Sequence, residues 1–217
     1  MTDALVMAVA AVVGLAAGWL FSARIEAESD APVRPAWIAL ATAVLSAAAA
    51  WRFGGSWSTP VYVYFAIVSV PLAVVDLRTH RLPNAWTLTA YPFVVLGLLL
   101  PTVATGSWSD LGRALAGGGI LLGLYIVLHL VNPSGMGMGD VKLSGPMGAL
   151  LAWLSWSVLL VGTFLGFALG AVVGIALMAL GRAGRKSALP FGPFMLAGTW
   201  IAVLASPWIG SLALLPF

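Results

Sequence analysis

Two aspartates interrupt an otherwise apolar chain. Asp76 lies in Val-Val-Asp76-Leu-Arg-Thr-His-Arg-Leu-Pro-Asn, and Asp140 in Gly-Met-Gly-Met-Gly-Asp140-Val-Lys-Leu. Each stands at the edge of a hydrophobic stretch. A carboxylate beside hydrocarbon is costly to keep and points to function. Two carboxylates brought to on the order of 3 Å cannot both ionise easily, so the pair shares one proton. One member can then deprotonate a water while the other protonates a scissile carbonyl or a leaving amine. This is peptide hydrolysis without a covalent intermediate, and it suits a chain with no cysteine. Asp140, after three glycines in five residues, is expected to cap the helix that follows, which favours its anion. Those glycines, Gly137 and Gly139 among them, allow close backbone approach and positive φ. Asp76 is expected to end a helix, where the acid form is favoured. Alone, either aspartate could simply cap or end a helix. Together they are the only acidic residues on one membrane face apart from the first loop.

The elements that must position them are membrane helices. Of 217 residues, 61% are hydrophobic and only 8% are charged, against about 25% charged in a soluble domain. The apolar runs are continuous rather than alternating, which excludes barrel strands. The expected class is all-α and polytopic, a single membrane-embedded domain over 1–217. The predicted spans are 4–22, 36–53, 60–76, 85–104, 111–131, 141–156, 157–181 and 191–213. The stretch 141–181 is too long for one crossing and is divided at Leu-Ala-Trp-Leu-Ser-Trp-Ser. Seven tryptophans fall near proposed ends (Trp19, Trp37, Trp51, Trp57, Trp86, Trp108 and Trp208), where interfacial aromatics belong.

With eight spans, alternate loops carry Arg24, Arg34, Arg78, Arg81, Lys142, Arg182, Arg185 and Lys186, against Arg52 and Arg113 on the other side. The basic side is cytoplasmic. Both termini then face outward, and both aspartates lie at the cytoplasmic surface of the plasma membrane. The net charge of +3 reflects this bias and does not indicate nucleic-acid binding. Residues 1–22 carry Asp3 and no basic start, so they read as a retained span rather than a signal peptide.

Other polar residues admit two readings each. Lys142 could favour an anionic Asp140 or hold substrate backbone, or it could snorkel to the interface. Asn84 after Pro83 could hydrogen-bond a loop or substrate, or simply suit a turn. Asp76, His80 and Asp140 would make a thin metal-ligand set, and neither a metal nor another cofactor is expected. His129 reads as a packed or hydrogen-bonded core residue. Glu26, Glu28 and Asp30 form an acidic cluster that could attract a basic peptide or be an ordinary solvated loop. A proton- or cation-coupled transporter using Asp76 and Asp140 is the alternative function. Transport sites usually lie near the midplane, whereas these residues lie at span ends.

Gly137-Met138-Gly139-Asp140 is a GxGD motif, and Gly-Met-Gly-Asp-Val-Lys-Leu resembles the second catalytic motif of type IV prepilin peptidases. Asp76 with Leu82-Pro83-Asn84 resembles their first, and Leu189-Pro190-Phe191-Gly192-Pro193-Phe194 a third segment, in the family's order over roughly 60–200. The resemblance implies an intramembrane aspartic endopeptidase with Asp76 and Asp140 as its dyad. It implies prepilin or pseudopilin substrates: a short basic leader, a cut after glycine, then a hydrophobic helix. Membrane lipids would be the other partners. Large members carry a cytoplasmic domain with CxxC pairs between the first two spans and also N-methylate the pilin. Here that place holds only 23–35 and no cysteine. The resemblance therefore points to the shorter form, similar to enzymes of tight-adherence pili or archaeal preflagellins.

Overall fold

The computed structural model describes residues 2–29, 31–133, 135–182 and 189–211. Among these the regular structure is helical: α1 (Asp3–Ser29), α2 (Pro35–Phe53), α3 (Thr59–Thr79), α4 (Asn84–Thr105), α5 (Trp108–Val131), α6 (Met138–Leu154), α7 (Trp156–Ala179), α8 (Gly192–Leu204) and α9 (Ser206–Ser211). Asp30, Arg185, Lys186 and the predicted end of the last span at 212–213 lie outside the described residues. The chain divides into two compact units, Met1–Leu111 and Gly112–Phe217.

In the first unit, α1 packs on α2 through small residues. Its buried stripe is Ala10, Gly14, Gly18, Ser22 and Ile25, a three-to-four-residue spacing that stays on one face. A Cβ at Gly14 would stand 2.5 Å from Ser46 Oγ, and one at Gly18 would stand 2.8 Å from the Ala39 Cα. Without a hydrophobic drive between helices in lipid, such close approach supplies the packing. The α3 helix buries Tyr62, Phe65, Leu72 and Val75 in this unit, and Gly97 of α4 lies against Val61.

In the second unit, α6 is the central helix. It is buried on every side from Val141 to Trp153 apart from Lys142, which is half-buried. Its Gly148 faces the Gly117 carbonyl of α5, and Gly118 of α5 faces the Gly145 carbonyl of α6. Arg113 donates to the Ala152 and Trp153 carbonyls, which are among the last carbonyls of α6 and lack helical partners. Ser155 then accepts the Val158 N–H at 3.1 Å and starts α7. The predicted division of 141–181 is thus found at Ser155. Gly198 of α8 lies against Gly162 and Gly166 of α7.

The outward faces are apolar, with Leu20 72% and Val103 71% exposed, as lipid-facing surfaces require. Among the described residues six helices, α1 to α5 and α7, are long and apolar enough to cross a membrane. The 17-residue α6 and 13-residue α8 fall short of the roughly 20 residues of a full span.

Several predicted boundaries move. The α1 helix runs on to Ser29, because Ala-Arg-Ile-Glu-Ala-Glu is polar but strongly helix-forming. The α3 helix continues one turn past Asp76. The last predicted span breaks at Ala205, before Ser206-Pro207, where the proline disfavours continuation. Trp86 is buried at 8% exposure and packs edge-on to Phe21, so it is not an interfacial anchor.

Candidate active site

The first unit places Asp76 in the last turn of α3, 4% exposed. Its neighbours Leu72 and Val75 are buried apolar residues. The helix ends by a left-handed residue at His80, φ 54° and ψ 30°, whose N–H donates to the Asp76 carbonyl at 2.8 Å. His80 is the one non-glycine residue of positive φ among those described. Its side chain is exposed, so its position is explained by the helix end. Among the described residues there is no cluster of three or more metal-ligating side chains. Thr79 closes the turn. Its hydroxyl donates toward the Val75 carbonyl at 2.9 Å and accepts the Arg81 N–H at 3.3 Å.

Pro83 then opens α4 in extended geometry, and its carbonyl accepts the Trp86 and Thr87 N–H groups. Asn84 is the first residue of α4 and is exposed. Beside this turn is a cleft of about 500 Å³ lined by Glu28, Val75, Thr79, Arg81, Leu82, Pro83 and Asn84. Arg78 ties the end of α3 to the segment after α1, donating to the Ala31 carbonyl at 3.0 Å and the Pro32 carbonyl at 3.2 Å. Glu26 accepts the Val33 N–H at 2.9 Å. The two glutamates lie in the last turns of α1 rather than in a loop, and they divide: Glu26 holds backbone, while Glu28 lines the cleft.

The second unit places Asp140 in the first turn of α6, 6% exposed. It is not the cap expected from its place after the glycines. The helix starts earlier, with Gly137 at the cap and Met138 and Gly139 already helical. Asp140 is the third helical residue, and its Oδ2 accepts the Gly137 N–H at 3.2 Å. This is the reciprocal half of a capping box. The glycines of this turn do not use the positive φ open to them; the positive-φ glycines among the described residues are Gly54, Gly106 and Gly181. The neighbours of Gly137 belong to its own turn rather than to another backbone: a Cβ there would lie 3.3 Å from Asp140 Oδ2. Lys142 is half-buried two residues on.

Behind the glycine turn, His129 of α5 lies 2.8 Å by its Nδ1 from the Met136 carbonyl oxygen, in keeping with a hydrogen-bonded histidine. Phe191, in the third sequence segment, packs against Tyr125 and Phe167. It closes an aromatic group of α5, α7 and the start of α8.

A family model, the type IV leader peptidase family, matches residues 61–175, which is more than half of the chain and includes both aspartate turns. The chain belongs to the type IV leader peptidase family. It is similar to the prepilin leader peptidase/N-methyltransferase of Aeromonas hydrophila, 36% identical over 172 residues that make up 77% of this chain and 57% of the relative. The protein of the same name from Pseudomonas putida is 34% identical over 177 residues, 79% of this chain and 59% of the relative. That of Bacillus subtilis (strain 168) is 31% identical over 165 residues, 76% and 63%. The chain thus spans less than two thirds of the length of these relatives. No solved structure matches the chain. The family match favours hydrolysis over the transport alternative, while Leu189–Phe194 lies beyond the matched residues.

Proposed function

We propose that the chain is an intramembrane aspartic endopeptidase, in which the two units act as one enzyme and Asp76 and Asp140 form its dyad. The observation that carries this reading is that both carboxylates are buried in the terminal turn of a helix within the matched family region. Asp140, in the first turn of α6, is stabilised as the anion by the helix dipole and the Gly137 N–H. Asp76, in the last turn of α3, faces the opposite end of a dipole and serves as the acid. The anion takes a proton from water, and the resulting hydroxide adds to the scissile carbonyl carbon. The acid delivers its proton as the C–N bond breaks. A new carboxyl group and a free amine leave, and the dyad again holds one proton. This chemistry requires no cofactor.

The proposed substrate is a prepilin or pseudopilin with a basic leader, a glycine before the cut and a following apolar helix. The helix lies in the bilayer and the leader in the cytoplasm, so the cut falls at the cytoplasmic face of the plasma membrane. The positive-inside distribution supports that orientation. Pro83 and Asn84 border the substrate cleft. Gly137 and Gly139 keep the Asp140 turn open to an extended backbone, and Lys142 steadies it. Purified protein in liposomes is expected to cut such a substrate after its glycine, as read by mass spectrometry. A substrate left whole, or cut inside the apolar helix, would contradict this reading.

A further inference from the structure

His129 and Asp140 hold opposite ends of one amide. The Met136 carbonyl oxygen is 2.8 Å from His129 Nδ1. A carbonyl only accepts, so this nitrogen must carry the ring proton, which fixes the tautomer. The N–H of the same peptide group belongs to Gly137, and it donates to Asp140 Oδ2 at 3.2 Å. An amide that accepts at oxygen is polarised and becomes a better donor at nitrogen. The ring sits on an anchored helix. One turn earlier Tyr125 is fully buried and packs against Phe167 and Phe191. Met136 is itself buried, between the exposed residues Gly135 and Gly137. Without the histidine, this glycine-flanked peptide could rotate and turn the Gly137 N–H away from the carboxylate.

We propose that His129 is a positioning residue for Asp140, acting through the Met136–Gly137 peptide group. The role rests on the reading of Asp140 as catalytic. Leucine at 129 removes the donor. Asparagine places its amide nitrogen near the position of Nδ1 and keeps it. For cleavage of a leader-bearing substrate, His129→Leu is expected to lower kcat roughly three- to tenfold, the worth of one neutral hydrogen bond. KM should stay within about twofold, and His129→Asn should recover most of the rate. An unchanged kcat, a change in KM alone, or equal impairment of the two variants would overturn the proposal.

Nitrogen-15 spectra of the histidine rings in the wild-type protein at pH 8 test the contact without turnover. His129 is separated from His80 by a His80→Gln variant. A proton on Nδ1 of His129 is expected, and a ring protonated at Nε2 alone would overturn the proposal even if the leucine variant failed to fold. Normal cleavage by Asp140→Asn would sink the catalytic reading alone and leave the ring signal in place. Loss of activity in Asp140→Asn with wild-type kinetics in His129→Leu would sink only the positioning role.

Discussion

Gly137 illustrates how narrowly the Asp140 turn is built. Any side chain there would put a Cβ 3.3 Å from the carboxylate oxygen, tight enough to push the acceptor away from the N–H it now accepts. His80 is the contrasting residue. It has the left-handed backbone that glycine prefers at a helix end, and its exposed ring is not needed for that backbone. A non-glycine residue there gives up about 1 kcal/mol or more, partly offset by the entropy glycine loses on folding. His80→Gly should therefore leave the melting temperature unchanged or higher, with cleavage intact. A clear loss of activity in a stable His80→Gly protein would give the ring a role that the structure does not suggest.

At the scale of elements, glycine contacts hold α7 and α8 together. A Cβ on Gly198 would strike the Gly166 backbone, and the Gly162 carbonyl is only 2.7 Å from it. No flexible side chain can move aside there. Gly198→Val should destabilise the second unit by roughly 3 kcal/mol or more, seen as a lower yield of monodisperse protein. Equal yield and melting temperature would mean that the two helices are not packed as described. Much of this layout was legible in the chain, since apolar runs of span length and breaks such as Trp153-Leu154-Ser155-Trp156 declare themselves through hydropathy and capping. Hydropathy hid the ends. The segment Ala23 to Ser29 reads as loop by its charge, yet its helix propensity carries α1 through it. Asp140 reads as a cap in the sequence but is the third helical residue, because Met138 and Gly139 look like loop residues yet begin α6. Both aspartates were visible as costly charges beside apolar runs. The link from His129 to Met136 was not, because it joins a helix to a turn seven residues away through a backbone carbonyl.

For the whole molecule, the distribution of basic residues predicts which turns share a membrane face. The natural chain has no cysteine, so single introduced thiols report sidedness cleanly. In sealed inverted vesicles, Glu28→Cys and Asn84→Cys should react with an impermeant maleimide, and Trp57→Cys should not. The opposite pattern would turn the proposed active face outward. The central claim is that one aspartate from each unit serves a single proton-sharing pair. Asparagine keeps the size of aspartate but cannot exchange its proton. The decisive measurement is cleavage of a co-expressed leader-bearing prepilin by wild type, Asp76→Asn and Asp140→Asn, with each protein's membrane level checked. The dyad predicts that wild type cuts and that both variants, present at normal levels, lose cleavage by at least about a thousandfold, since neither carboxylate can act without the other. Cleavage by either variant at the wild-type rate would contradict it.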